Sequence, residues 1–304
     1  MAAIHNPWAA AAGSAPGFIG FFESVDRDDV ASTLLRTAED WLKARGCTSV
    51  TGPVNPSTNY EGGVLVDGFE HPQTFLTPWN PPYYAGLLTR AGYAKGADLC
   101  AWHVSTAKVP ADLGDRLRAI SGRASRSLGL SFGLVDFSNY DRDMRACWEV
   151  YRECWKRQWG FVPLSVEEWL FIARELKPLL VPAGCMLVRS GDAIVGFGLF
   201  IADYNRAMAG SRSGRLLPSN WWRILRAKRH SPWARIVLAG TLPTYRRWGV
   251  PQMLLHQAFL STKDFGVQDI EASWILEDNH ELNPFFERVG ATPYRRWRIF
   301  TKQL

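Results

Sequence analysis

The most regular stretch of the sequence is an apolar run that passes through a short turn into a helical repeat. Residues 236–239 are apolar and begin with two β-branched side chains, a pattern that predicts a buried strand. After a turn at 241–244, apolar residues recur at helical spacing at Val250, Met253, Leu254 and Ala258. The pattern of residues 234–259 therefore predicts a strand that is followed directly by a tight loop and a helix.

Around this segment, residues 129–304 read as alternating strands and amphipathic helices. Apolar residues recur on one side of 141–159, which predicts a helix, and Ser165 and Glu168 form a capping box before a second helix. The remaining predictions are strands at 130–137, 185–189, 193–202, 269–276 and 294–301 and a helix at 281–288. The predicted order is β-α-α-β-β-β-α-β-α-β.

Residues 1–107 contain fewer elements and one long irregular stretch. The pattern predicts strands at 17–25, 47–54 and 98–104, with helices between 28 and 46 and between 81 and 92. The stretch 55–80 is rich in Pro, Gly, Asn and aromatic residues, and a loop of this length is either a structural plug or a substrate loop. The ending of the first half, 80–93, resembles 283–291, which indicates a degenerate internal repeat.

The loop after the predicted central strand has the features of an anion-binding turn. Gly249 lets the backbone approach a ligand closely, and the first N–H groups of the following helix point outward. Arg246 and Arg247 add positive charge, so the loop suits a pyrophosphate. The alternative is an ordinary cap on an amphipathic helix.

The pattern P-x-Y-R-x-x-G-V at 243–250 resembles the acyl-CoA-binding motif of the GNAT acyltransferases, through Arg246 and Gly249. The predicted element order is also similar to the GNAT order. This resemblance implies an α/β (α+β) fold with a mixed central sheet flanked by helices. The sequence departs from the family at Pro251, which has no N–H to offer a phosphate, and at Phe286, where the family often has a tyrosine acid.

The resemblance implies acyl-CoA or acetyl-CoA as the co-substrate and no metal. A splayed backbone at the end of the central strand would leave N–H groups free to polarise the thioester carbonyl. Asn279 would contact the pantetheine arm, although a helix cap is its alternative role. The residues implied to bind acyl-CoA are Ala239, Gly240, Thr241, Arg246, Arg247, Trp248, Gly249, Val250 and Asn279.

An amine acceptor would attack the thioester directly and must first lose a proton. Glu277, at the carboxyl end of the strand 269–276, is the candidate general base, with Asp278 or a water chain behind it. A surface or capping carboxylate is its alternative role, and His230 and His256 are weaker candidates. The predicted function is N-acyltransfer to a small-molecule or peptide amine. The alternative is a noncatalytic acyl-CoA-binding or interaction protein.

Similarity to proteins with two GNAT-like halves implies a partial tandem repeat. Residues 1–107 resemble an incomplete, noncatalytic half, 108–128 a linker with a short helix and a flexible end, and 129–304 the acyl-CoA-binding half. The junction 25–29 of the first half carries three carboxylates, which would repel a pyrophosphate at the helix start. We therefore expect one CoA per chain.

Composition narrows the partners and the compartment. The chain has 35 Lys and Arg against 29 Asp and Glu, a mild excess that fits an anion such as CoA, and it has no lysine-rich tract or zinc-finger spacing to indicate nucleic-acid binding. Five scattered cysteines without CxxC pairs indicate buried thiols in a reducing compartment. No signal peptide or transmembrane run is visible in the sequence, so we expect a cytoplasmic protein.

One further stretch, residues 212–233, is basic and rich in tryptophan. A helix is predicted over 220–228. We expect this helix to pack over the fold, because amphipathic faces usually bury against protein. Contact with a membrane surface or an acyl chain is the alternative.

Overall fold

Strands buried on both faces alternate with helices that bury one face along most of the chain. A computed structural model describes residues 1–9, 15–211, 215–217 and 220–304. The α-helices are α1 (Asp28–Lys43), α2 (Tyr84–Arg90), α3 (Leu113–Leu128), α4 (Tyr140–Trp155), α5 (Val166–Leu176), α6 (Tyr204–Met208), α7 (Asn220–Arg229), α8 (Val250–Asp264) and α9 (Asn283–Arg288).

The strands follow the predicted alternation closely in the second half and add short pieces in the first. They are β1 (Ala2–His5), β2 (Pro16–Gly20), β3 (Ser49–Gly52), β4 (Val54–Asn55), β5 (Glu61–Gly62), β6 (Val64–Asp67), β7 (Ala94–Ser105), β8 (Leu130–Leu134), β9 (Cys185–Ser190), β10 (Ala193–Ala202), β11 (Trp233–Thr241), β12 (Asp269–Leu276) and β13 (Thr292–Gln303).

One large mixed sheet runs through both halves of the chain. Within the described residues eleven strands join it, in the order β1-β2-β3-β13-β7-β12-β11-β10-β9-β8, and β6 pairs with β13 outside this path. The β2–β3 and β11–β12 pairs are parallel, and the other pairs of the sheet are antiparallel. The predicted fold class, a mixed central sheet flanked by helices, is confirmed.

The last strands of the two halves are exchanged. In the first half, β2, α1 and β3 form a parallel unit, and α2 and β7 follow it; in the second half, β11, α8 and β12 form the same unit, and α9 and β13 follow. However, β13 lies beside β3, and β7 lies beside β12. β7 and β13 also pair with each other at the centre of the sheet. Each half therefore supplies the strand that continues the sheet of the other.

Helices cover both faces of the second half. Along β9, Met186 and Val188 point into the core beneath α8, whereas Cys185 and Leu187 point into the core beneath α4, as the two-residue period of a strand requires. α5 packs beside α4, and α3 packs beside α8. The sheet is thus the middle layer of three.

The helix of the predicted linker packs against α8 as far as Ala124, and its last turn, 125–128, is exposed. α3 runs antiparallel to α8, with Gly114 opposite Phe259 and Ala124 opposite Gly249. Small residues at these positions let the two helices approach closely. Ala124 therefore holds α3 against the start of α8.

All five cysteines are free and buried, as predicted. Burial raises the pKa of each of these thiols, and that of Cys185 to about 12, so the thiols stay protonated at neutral pH. In the part of the chain that the structure describes, no helix is long and apolar enough to span a bilayer.

The strand exchange makes a direct prediction about fragments. Residues 129–304 expressed alone should not unfold cooperatively, because β13 loses β3, β6 and β7, and buried side chains such as Trp297 and Phe300 become exposed. Thermal unfolding followed by circular dichroism checks this, with co-expressed residues 1–128 expected to restore the transition. A cooperative transition of the isolated fragment would show that the halves fold independently.

Candidate active site

The central strands β11 and β12 separate part-way along their length. Their parallel register runs from Trp233 opposite Asp269 to Ile236 opposite Ala272 and then stops. Beyond this point β11 continues beside β10, and β12 continues beside β7. A wedge-shaped gap opens between 237–241 and 273–276, and alternate N–H and C=O groups of β11 face it.

A β-bulge lies at the apex of this gap. Leu238 pairs with Leu199 and Ile236 pairs with Phe200, so Val237 is an extra residue on β11. A bulged residue is left out of the ladder, and the strand bends there. The predicted splayed backbone is thus present, with the extra residue Val237 at the point where the two strands separate.

The three predicted strand residues that follow line the gap in different ways. Ala239 is exposed, whereas Gly240 and Thr241 are buried. Gly240 has to be small, because a Cβ there would lie 2.8 Å from the Cζ3 atom of Trp155. The Thr241 carbonyl accepts a hydrogen bond from the Cys154 thiol at 3.1 Å.

The basic loop follows at the wide end of the gap. Residues Pro243–Trp248 form a 3-10 turn in which Arg246, Arg247 and Trp248 are exposed. Arg246 Nη1 lies 3.7 Å from Glu281 Oε2, whereas Arg247 makes no ion pair with any described residue. Positive charge thus lies beside the N-terminus of α8, where a helix favours anions.

Gly249 and Val250 begin α8 for reasons of packing as well. Gly249 has φ +88°, which favours glycine, and a Cβ there would lie 3.0 Å from the Cβ of Ala124 on α3. Val250 is fully buried. Substitution of Gly249 would therefore disturb the α3–α8 contact whether or not a ligand approaches it.

Glu277 and Asn279 follow β12, and both already have partners. Glu277 Oε1 lies 2.5 Å from the Lys95 ammonium, which also reaches Asp98 at 3.2 Å. The Asn279 side chain accepts hydrogen bonds from the backbone N–H groups of Glu281 and Leu282, so it fixes the turn that precedes α9, whereas the N-cap of α9 is Leu282. Contact of Asn279 with pantetheine stays a prediction.

The register limits how Glu277 can act. Ser273 is the residue of β12 after the last pair, so it lies nearest the bulge at Val237. Glu277 is four residues further along, about 13 Å at the rise of a strand. An amine at the bulge could therefore reach Glu277 only through water, which is the water-chain version of the prediction.

The two histidine candidates lie on other elements. His256 is on α8 beside α3, where burial and the charge of Arg118 lower its pKa. His230 packs against Gly266, at the turn that follows α8.

Beside the narrow end of the gap lies a buried polar network that the sequence analysis missed. Glu271 is completely buried, and its carboxylate accepts hydrogen bonds from Ser273 at 2.5 Å, from Thr74 at 2.7 Å and from Tyr294. Two buried arginines balance its charge, with Arg235 at 3.5 Å and Arg295 at 3.6 Å. These donors occupy both oxygens of the Glu271 carboxylate, so Glu271 holds the buried network together.

This network anchors the long loop of the first half over the second half. The Arg235 guanidinium donates to the carbonyl oxygens of Phe75 at 2.9 Å and Leu76 at 2.6 Å. Burial lowers the pKa of Arg235, although the charge of Glu271 opposes this change. The loop is therefore a structural plug at 72–77, and its apolar side chains also reach the gap.

An aromatic wall lies on the α4 side of the gap. Trp155 stacks on Tyr151 with ring centres 5.0 Å apart, and Trp169 lies 4.9 Å from Tyr151. The same apolar cluster contains Leu76 and Val237. A long apolar group entering beside the bulge would meet this wall.

A histidine–carboxylate pair lies at the other end of the two strands. His103 Nε2 is 2.8 Å from Asp269 Oδ1, and the His103 ring stacks on Trp233 at 5.0 Å. Both side chains are partly exposed. His103 and Asp269 meet because of the register of β7 against β12, and they are 166 positions apart in the sequence. Local sequence patterns therefore do not indicate this pair.

Solved structures with this architecture define the class. A GCN5-related N-acetyltransferase from Sphaerobacter thermophilus is 15% identical with a TM-score of 0.50, over 90% of this chain and 67% of that one. A tandem GNAT protein of clavulanic acid biosynthesis is 14% identical with a TM-score of 0.50, over 96% of this chain and 76% of that one. No family model matches the sequence. The fold is that of the GNAT acyltransferases.

Closer relatives then show the family. The bacterial ceramide synthase of Caulobacter vibrioides is 31% identical over 300 residues, which cover 96% of this chain and 76% of the synthase. Protein YghO of Escherichia coli is 29% identical over 301 residues, which cover 96% of this chain and 75% of YghO. The chain belongs to the family that contains this ceramide synthase, and acyl transfer is the general activity of the class.

The buried network predicts that replacing Glu271, within β12, destabilises the protein much more than replacing Glu277, which directly follows β12. Glu271→Gln should lower the free energy of unfolding by about 3–5 kcal/mol, because two buried arginines lose their counter-charge. Glu277→Gln should cost less than about 1 kcal/mol, because its ion pair with Lys95 is partly exposed. Urea unfolding of both variants checks the contrast, and equal effects would mean that the Glu271 network is not a structural anchor.

Proposed function

We propose that this protein transfers an acyl group from acyl-CoA to the primary amine of a long-chain amino alcohol. The observation that carries the proposal is the gap between β11 and β12, with its bulge at Val237, in a relative of a bacterial ceramide synthase. Ceramide is an amide of a fatty acid with such an amino alcohol. The amine nitrogen attacks the thioester carbonyl carbon, the C–S bond breaks, and CoA leaves as the thiolate, which takes up the proton that the amine has lost and becomes the thiol.

The geometry supports a location for each part of the donor. The pyrophosphate lies at the basic loop around Arg246 and Arg247, and the pantetheine arm extends into the gap along Ala239 to Thr241. The thioester carbonyl then reaches the unpaired backbone at Val237. Preorganised N–H donors there stabilise the oxyanion that forms during attack.

The acceptor side is apolar enough for lipid chains. The aromatic wall of Tyr151, Trp155 and Trp169 and the loop residue Leu76 lie on the α4 side of the gap. Apolar walls with few polar groups are typical of sites for long aliphatic ligands. We infer that these side chains hold the hydrocarbon chains of the substrates.

Proton transfer uses Glu277 through water. The attacking amine loses one proton, and Glu277 is a partly exposed carboxylate that follows β12 at the open end of the gap. Lys95 holds that carboxylate in place by an ion pair. A water chain of a few molecules spans the roughly 13 Å along β12.

A turnover assay tests the function. We expect amide formation and stoichiometric thiol release with palmitoyl-CoA and sphinganine, and little of either with ethanolamine, which lacks the long chain. Binding of acyl-CoA without amide formation would favour the noncatalytic alternative. Amide formation on ethanolamine at the same rate would contradict the lipid acceptor.

The base has its own test. Glu277→Gln should lower kcat by about a hundredfold while leaving the affinity for CoA unchanged, because a general base acts only in the chemical step. Glu287→Gln, an exposed carboxylate on α9, is the matched control and should retain full activity. If the rate and pH profile of Glu277→Gln equal those of the control, the proton has another acceptor, and His103 with Asp269 becomes the next candidate.

A further inference from the structure

Large apolar side chains are exposed together on α7 and just before it. Leu217 is 68% exposed, Trp222 61%, Leu216 55% and Leu225 44%. Exposed hydrophobic residues are ordinary when scattered, but a group of them marks a contact surface. We call the surface formed by Leu216, Leu217 and the outward side of α7 the α7 surface.

Helical geometry separates α7 into two sides. Asn220, Ile224 and Ala227 recur at four- and three-residue spacing, and they face the protein, where Ile224 and Ala227 join the core beneath α8. Trp222 and Leu225 lie on the opposite side. The prediction that this helix packs over the fold therefore holds for its inner side alone.

Basic residues surround these apolar side chains. Arg226 and Arg229 project from the outward side of α7, and neither forms an ion pair with any described residue. Lys228 instead donates to the carbonyl oxygen of Pro178 at 2.7 Å. The α7 surface thus combines unpaired positive charge with apolar bulk.

The charge of the whole chain is concentrated in the same region. Residues 204–263 contain no Asp or Glu and 11 of the 35 Lys and Arg. The rest of the chain has the other 24 Lys and Arg against all 29 Asp and Glu. The net positive charge of the protein therefore comes from this segment, and an anionic partner would be oriented toward it.

We propose that the α7 surface docks on a lipid bilayer that contains anionic phospholipids. Trp and Leu side chains gain by entering the boundary between headgroups and acyl chains, and Arg side chains pair with lipid phosphates. α7 has ten residues, too few to cross a bilayer. A nucleic acid would satisfy the arginines but would leave Leu216, Leu217 and Leu225 in water.

This inference does not depend on the proposed acyl transfer, because binding is measured without substrate. Docking on a bilayer would also bring the protein close to lipid amines, which are the proposed acceptors of the acyl group. α7 leads through a short connection into Trp233 at the start of β11, the strand that carries the bulge. A lipid amine in the bilayer would be close to the start of that strand, four residues before Val237.

Vesicle sedimentation tests the docking. The full chain should sediment with phosphatidylcholine vesicles that contain phosphatidylglycerol at about 3:1 and not with phosphatidylcholine alone, and added salt should release it. Binding to neither vesicle, or equal binding to both, would overturn the proposal. Equal retention by DNA of the same charge would assign the surface to polyanions in general and would also overturn it.

Matched variants locate the surface. Arg226→Gln with Arg229→Gln should weaken vesicle binding about thirtyfold, at about fivefold per arginine. Arg36→Gln with Lys43→Gln removes the same charge from α1 and should change binding little. Trp222→Ala with Leu225→Ala should also weaken binding at least tenfold, whereas Trp8→Ala, at a tryptophan 78% exposed elsewhere, should not. Equal losses in the α7 and control variants would overturn the assignment.

A site-specific label removes any dependence on variant stability. All five native cysteines are buried, so Leu225→Cys provides the one reactive thiol for an environment-sensitive dye. Its emission should shift to the blue on anionic vesicles, and that of a dye at Leu128→Cys, on α3, should not. No shift at position 225 while the protein sediments with the vesicles would show that another surface docks.

Discussion

The pairing of β7 with β12 is the contact on which the candidate site depends. β12 begins as the parallel partner of β11, but it is held on its other edge by β7 as far as Leu276. Beyond Ala272 it leaves β11 and pairs with β7 again at Ile275 and Leu276, and β11 carries the bulge at Val237. The gap therefore lies where β12 keeps only the partner strand that the first half supplies. Both halves thus contribute strands around the gap.

Among the described residues of the first half, the corresponding gap is filled. Its parallel strands β2 and β3 also separate after a few residues, but a Cβ at Gly20 would lie 2.0 Å from the carbonyl oxygen of Val54, so backbone fills the space. At the start of α1, Asp28 pairs with Arg90 at 2.7 Å and Asp29 pairs with Arg27. The first half instead contributes three features. They are the strand β7, the strand β3, which pairs with β13, and the loop at 72–77, which Arg235 holds over the second half. These features support one acyl-CoA site per chain.

Local patterns predicted the elements, and long-range pairing determined the rest. The strand, loop and helix at 234–259, the second-half order and the α7 helix follow from periodicity and turn residues, which act over a few positions. The exchange of β7 and β13 joins segments some two hundred residues apart, and no local pattern encodes it. Glu271 and Thr74 are 197 positions apart, so no local pattern indicates their contact. Charged residues inside strands, such as Arg235, Glu271 and Arg295, are a weak signal that a buried polar network exists. Asn279 fixes the turn before α9 by bonds to residues two and three positions on, which is a local interaction that its residue type favours.

The central claim is that the gap between β11 and β12 holds the acyl thioester. A crystal structure of the protein with a thioether analogue of palmitoyl-CoA, in which the carbonyl is kept and cleavage is blocked, tests it directly. We expect one analogue per chain, with its pyrophosphate at Arg246 and Arg247 and its carbonyl oxygen within hydrogen-bond distance of a backbone N–H at Val237 or Leu238. An analogue bound at the start of α1, or with its carbonyl away from the bulge, would contradict this placement of the thioester.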